Sequence, residues 1–396
     1  MAQPKRKFAF MPWIKRVVSS VSAKKFYSSL VCALVGLIVG FFIMLALSPA
    51  DAVFDFPVLI TGGLQYFGFK GFCSILAKTA PLLCCGLCVI FAYKTGLFNI
   101  GAAGQYTLGS FGALVFALYF HWHWSLCILM AVLFGAIWAA IPGILKAFCH
   151  VNEVIGGIML NWIALFFVNY SLQTYLISIV DIMQGNKTYD VSGISKLPNL
   201  GMDTSVVGNS FSIAIFIALI VAIAISIILG KTTLGYQLKA SGLSKEATRY
   251  AGMNDKKNLI LTMVIAGALA GLGGAFYYLA GIEQWKAADS TSLSSVPWNG
   301  IVVAFLAQIN PIGAIFASLF ISVISSGAMA TTQTVFPKEI GDLITGIVVY
   351  LSGLTAIIIN FFPKIREFFI KVFRKKKAEL AVAGEGENPS VQEEDK

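Results

Sequence analysis

Runs of about twenty apolar residues, each long enough to cross a hydrocarbon core of about 30 Å as a helix, recur along the chain. Nothing else in the sequence limits its fold so strongly. Within lipid every backbone N–H and C=O must find a partner in the protein, which leaves only helices and closed barrels. The runs lack the period-2 alternation of an outer-membrane barrel strand. Charged residues make up 12% and hydrophobic ones 57%, whereas soluble domains carry roughly 25% charge. The expected fold is an all-α polytopic membrane protein of about ten transmembrane helices.

The spans read as residues 30–47, 73–93, 106–120, 125–148, 154–179, 211–229, 259–281, 297–309, 311–331 and 340–362. They form a membrane domain, 29–363, between a basic N-terminal segment, 1–28, and a tail, 364–396, whose acidic end is expected to be disordered. Residues 48–72, 181–210 and 282–296 read as outer connections, and 230–258 as the longest inner one. The basic start and first apolar run imitate a secretory signal. That run exceeds the ~7–15 residues usual for a signal, so it reads as an uncleaved span. With both termini in the cytoplasm, 23 Lys and Arg fall on inner segments and five on outer ones, as the positive-inside rule requires. The net charge of +10 thus sits beside spans and gives no ground for a nucleic-acid partner. Spans two to five and seven to ten run in opposite senses, as two inverted repeats would.

Between the second and third spans lies Lys94-Thr95-Gly96-Leu97-Phe98-Asn99-Ile100-Gly101-Ala102-Ala103-Gly104-Gln105. Gly-broken polar backbone is tolerated there only where protein or a water-filled cavity satisfies it. The stretch is therefore expected to line a passage for a polar solute, with Asn99, Gly101, Gly104 and Gln105 on it. Other intramembrane amides join this candidate passage: Asn161 and Asn169 in the fifth span, Asn299 and Gln308 in the eighth, beside Trp298. An amide offers both donor and acceptor, which suits a nucleobase edge or a sugar hydroxyl without charge. The plainer reading of each is an interhelical hydrogen bond, worth about 0.6 kcal/mol on average. Trp298 either stacks on a ring or anchors at the interface.

Lys78 is a lone cation in the second span and either snorkels or pairs with an acid. Cys84, Cys85 and Cys88 cluster in the same span without a His or second Cys pair, and read as small packing residues. His121-Trp122-His123-Trp124 reads as an interfacial turn, with no third ligand for its His pair. Glu153 and Asp342, near span ends, are expected to orient helices.

In the inner segment, Gly230-Lys231-Thr232 imitates the end of a phosphate-binding loop. The first glycine of that motif would fall at Ile225, and no strand precedes it, so no nucleotide site is expected here. Residues 244–253 read as a short helix capped by Ser244 and ended by Gly252, with Ala247 and Ala251 on one face. Such a helix suits a groove on a cytoplasmic partner or lies on anionic lipid.

The 94–105 motif, Ile141-Pro142-Gly143-Ile144-Leu145-Lys146, Asn152-Glu153-Val154-Ile155 with Met159-Leu160-Asn161, and the 242–254 helix occur in this order and spacing. Together they resemble the permease subunit of ATP-binding-cassette (ABC) importers of the branched-chain amino acid, simple sugar and nucleoside group, most closely its nucleoside type. The similarity covers residues 30–362 and departs from the family pattern at Ala103, often an acid there, and at Pro297-Trp298-Asn299-Gly300. The resemblance implies import across a bacterial cytoplasmic (inner) membrane. A substrate-binding lipoprotein would sit outside, a second permease subunit (a different paralogue) beside this chain, and an ABC ATPase inside. It implies no cofactor on this chain and no enzyme activity, ATP and Mg belonging to the partner ATPase. Gly242, Ser244, Glu246, Ala247, Arg249, Ala251, Gly252 and Met253 would form the helix that couples to that ATPase.

Simple sugars and branched-chain amino acids are the alternative solutes. An ion-driven secondary transporter would carry paired intramembrane carboxylates. An integral membrane enzyme would cluster Asp, His or Cys at one face. The spans show neither pattern.

Overall fold

A computed structural model describes residues 21–208, 210–287, 292–331, 336–337 and 339–353. The first twenty residues, the end of the last expected span and the tail lie outside the described residues. Among those described, seven helices are long and apolar enough to cross a membrane, which makes this a multi-pass membrane protein.

The first expected span forms α1 (Val21–Leu47). The stretch 48–72, expected as an outer loop, is helical instead: α2 (Pro49–Ile60) follows at once, and α3 (Leu64–Lys94) begins after Gly62-Gly63. Two acids and two prolines interrupt the apolar run there and hide its helical face. Yet Pro49 occupies the first turn, where its missing N–H is no loss. Ala52, Asp55, Val58 and Leu59 share the buried side of α2. That side closes on α13 (Pro311–Thr331), where a Cβ on Gly327 would fall 2.2 Å from the Leu59 carbonyl oxygen. Within α3, Gly68 breaks the helical geometry at φ 53°, ψ −135°. From Thr79 to Ala92 every residue of α3 is buried, the mark of a helix at the centre of a bundle.

After the 94–105 motif come α4 (Ala102–Leu114) and a single π-helical turn, Val115–Tyr119, then a tight turn in which His121 has φ 51°. The pair α5 (Trp124–Cys149) and α6 (Glu153–Thr174) is joined by the Asn152 cap and a Lys146–Glu153 ion pair of 2.6 Å. The stretch 180–207 holds a two-residue hairpin, β1 (Val180–Asp181) with β2 (Lys187–Thr188), and one turn of helix, α7 (Thr204–Val207). It folds over the end of α11 (Asp255–Leu279), since Leu197 N–H donates to the Leu279 carbonyl at 3.1 Å. The remaining elements are α8 (Ala214–Lys231), α9 (Thr233–Leu243), α10 (Lys245–Tyr250), α12 (Ser295–Leu306) and α14 (Glu339–Gly353).

Glycines bring α11 against three neighbours. A Cβ on Gly271 would lie 2.3 Å from the Ala131 carbonyl oxygen of α5, one on Gly274 2.3 Å from Ser110 Oγ of α4, and one on Gly273 3.0 Å from Cys85 Sγ of α3. Lipid tails are as apolar as Leu, so spans associate through such close approaches rather than through hydrophobic burial. Cys85 also meets Gly300 of α12, in keeping with its reading as a packing residue. The eighth expected span is short: α12 has 12 residues, about 18 Å at the helical rise. It ends in two left-handed residues, Gln308 and Ile309, at φ 52° and 55°.

Candidate functional site

Gly96 ends α3. Its φ of 80° lets the chain reverse, with Leu97 N–H returning to the Ala92 carbonyl at 2.9 Å. Five residues later Gly101 starts α4. Across this gap Asn99 and Gln105 face one another as a reciprocal amide pair. Asn99 Nδ2 donates to Gln105 Oε1 at 2.8 Å, and Gln105 Nε2 donates to Asn99 Oδ1 at 3.1 Å. Asn99 Nδ2 also lies 3.3 Å from Cys88 Sγ.

Asn161 of α6 closes the same junction from the other side. Its Oδ1 accepts from Gly104 N–H at 2.7 Å, and its Nδ2 donates to the Ile100 carbonyl at 3.0 Å. Gly157, one turn earlier, is so near that a Cβ would lie 2.8 Å from Gly101 N. Asn99, Gln105 and Asn161 are each 1% exposed. The expected residues Asn99, Gly101, Gly104, Gln105 and Asn161 therefore meet in one knot, where the amides satisfy each other and the backbone.

The other expected residues stand apart from it. Asn169, near the far end of α6, accepts from Trp285 Nε1 at 2.9 Å. Trp298 and Asn299 lie in the first turns of α12, where Trp298 is exposed and Asn299 half-buried. Gln308 lies beyond α12, its Nε2 3.4 Å from the Ser352 carbonyl of α14. Lys78 reaches Ser326 Oγ at 3.4 Å and Met329 Sδ at 3.2 Å on α13, and among the described residues no acid lies in ion-pair range of it.

The 230–258 segment is a second centre. Ser244 caps α10, accepting from Ala247 N–H at 3.3 Å, and Gly252 ends it at φ 76°. Glu246, Ala247, Tyr250 and Ala251 are exposed, as is Leu243 just before the cap, at 89%. Arg249 turns back to α11. Its Nε and Nη2 donate to the two oxygens of Asp255 at 2.9 and 2.8 Å. That carboxylate raises the Arg249 pKa above its ordinary value, so the fork is charged at every physiological pH.

Sequence reading missed three members of this centre. Asp255 sits in the first turn of α11, where an acid suits the helix dipole. Asn258 Nδ2 donates to Ser241 Oγ at 2.7 Å, tying α11 to α9. Gly96 meets Gly242: a Cβ on Gly96 would fall 2.5 Å from Gly242 Cα, and one on Gly242 2.5 Å from the Thr95 carbonyl. The first-turn acid was legible in the sequence; the partners were not. Through the last contact, α9 packs directly against the turn that leads to the amide knot.

Against known proteins, the model of the family described as branched-chain amino acid transport system / permease component matches residues 71–353. A nucleoside ABC transporter permease protein of Lactococcus lactis is 35% identical over 90% of this chain and 99% of its own length. A guanosine ABC transporter permease protein of Bacillus subtilis is 32% identical over 81% of this chain and 90% of its own. A glucose ABC transporter permease protein of Haloferax volcanii is 28% identical over 70% of this chain and 75% of its own. No solved structure matches.

Proposed function

Because the chain belongs to the permease-component family of branched-chain amino acid transport systems, we propose that it is the membrane subunit of an ATP-driven importer of nucleosides. The observation that carries the solute is the pair of nucleoside and guanosine permease relatives, which align over 99% and 90% of their own lengths. The glucose permease relative aligns over less of both chains and at lower identity.

In this reading ten spans place both termini in the cytoplasm of a bacterial inner membrane, and two inverted repeats rock about the passage. An external lipoprotein delivers the solute. A second permease subunit, a different paralogue, completes the passage, and the ABC ATPase docks on α10 from inside. The exposed Leu243, Ala247, Tyr250 and Ala251 support that docking, since they leave small and apolar side chains open to a partner. ATP and Mg act on the ATPase; this chain forms and breaks no covalent bond.

Alternating access requires motion of the inner helices to reach the passage. The Gly96–Gly242 contact and the Arg249–Asp255 fork provide two rigid routes, one to the motif and one to α11. The knot of Asn99, Gln105 and Asn161 would hold the wall of the passage in register. Asn169, Trp298, Asn299 and Gln308 are the further residues proposed along it.

The test is reconstitution with the ATPase and lipoprotein, followed by ATP-dependent uptake of labelled guanosine, adenosine, ribose, glucose and leucine. Nucleoside uptake is expected to dominate. Uptake that persists without any ATPase would remove the reading, and uptake of glucose or leucine alone would replace the solute.

A further inference from the structure

We propose that the groove between the last turn of α5 and the first half of α11 binds an anionic phospholipid. Phe148, Ile260, Leu261 and Val264 form its apolar walls, Lys256 and Lys257 stand at one end, and its volume is ≈ 440 Å³. That is room for the headgroup-proximal part of an acyl chain with a phosphate at the lysines.

Three observations choose this occupant. The groove continues an exposed apolar side of α5, on which Ile144 and Phe148, one turn apart, are 46% and 58% exposed. Lys256 Nζ lies 4.8 Å from the Phe148 ring centroid, a cation–π distance that holds the charge over the groove mouth. Neither Lys256 nor Lys257 has an ion-pair partner among the described residues. The adjacent acid, Asp255, gives both oxygens to Arg249 instead.

Two uncompensated ammoniums at the polar end of an apolar groove complement a phosphodiester anion. A zwitterionic headgroup would bring its own cation against them. Basic pockets between spans at the membrane face recognise acidic headgroups by this chemistry. The site sits beside the Arg249–Asp255 fork, so the lipid would border the inner helices.

The full chain in mild detergent, given phosphatidylglycerol or phosphatidylcholine with the same acyl chains, can be examined by native mass spectrometry for retained lipid. Phosphatidylglycerol is expected to be preferred, and Lys256→Gln/Lys257→Gln should lower that preference about tenfold. Val264→Trp, which fills the groove and keeps both lysines, should lower it as well. Lys231→Gln/Lys239→Gln, elsewhere on the inner segment, should leave it unchanged. Equal retention of the two lipids, an unchanged preference in the Lys256→Gln/Lys257→Gln chain, or a preference that survives Val264→Trp would each overturn the site. Loss of the bound lipid on adding the ATPase would assign the groove to that protein and overturn it too.

Discussion

Gly242→Ala separates local preference from tertiary contact. Gly242 lies within α9 at an ordinary helical φ, so helix propensity alone predicts that Ala stabilises by about 0.8–1.0 kcal/mol. The new Cβ would stand 2.5 Å from the carbonyl C and O of Thr95 and 2.7 Å from Gly96 N. These are backbone atoms and cannot rotate aside, so α9 and the end of α3 would have to part by roughly 1 Å, with an overpacking penalty of about 1–3 kcal/mol. The net expectation is destabilisation of up to about 2 kcal/mol, opposite in sign to propensity. Gly230→Ala is the control, since nothing lies within 4 Å of a Cβ there and its φ is not positive. It should be neutral or stabilising. Gly96→Ala should be the worst of the three, because the same contact is joined by a left-handed φ of 80°, itself worth about 1–2 kcal/mol. Thermal unfolding of the three purified variants in one detergent gives the order directly. In the transporter reconstituted with its ATPase, Gly242→Ala should leave ATP hydrolysis in place and reduce uptake, because the displaced segment carries Asn99. If Gly242→Ala proves as stable as Gly230→Ala and transports normally, the joint does not transmit anything and the coupling route fails.

Four further outcomes follow from the same geometry. Asn161→Leu strands the Gly104 N–H and the Ile100 carbonyl and should destabilise by about 1–3 kcal/mol in thermal unfolding; no change would mean that water reaches the knot. Asn99→Leu takes the acceptor from Gln105 Nε2, so Asn99→Leu/Gln105→Leu should cost less than the two single changes added together, and an additive cycle would show that the pair does not form. Arg249→Lys keeps the charge and loses the fork, so the ATPase should still bind in pull-down while uptake falls; equal uptake would relieve the fork of any coupling role. Gly252→Asp should abolish ATPase association with the protein still inserted. Gly252→Asn tolerates the left-handed φ of 76° better and should bind more nearly as wild type, and intact binding by both would remove α10 as the docking helix.

The features legible along the chain were one-dimensional. The length of apolar runs decided a helical membrane protein, because a bilayer accepts nothing open. Ser244 and Gly252 marked the bounds of α10, since caps act through neighbours three or four residues away. The Gly-rich break at 94–105 was visible as polar backbone between two apolar runs. Residues 48–72 misled because prolines and acids obscure a helix whose partner, α13, lies far along the chain.

Where the polar groups go depends on packing between distant parts of the chain. Asn99 and Gln105 were legible as unusual, but not as each other's partner, and Asn161 finds Gly104 from 57 residues away. No periodicity encodes such a choice, because a buried amide takes whichever donor or acceptor packing brings within about 3 Å. The meeting of Gly96 with Gly242 is of the same kind. Each glycine reads locally as a break or a weak helix residue, and only the packed bundle shows that both are small because backbone stands in the place of a side chain.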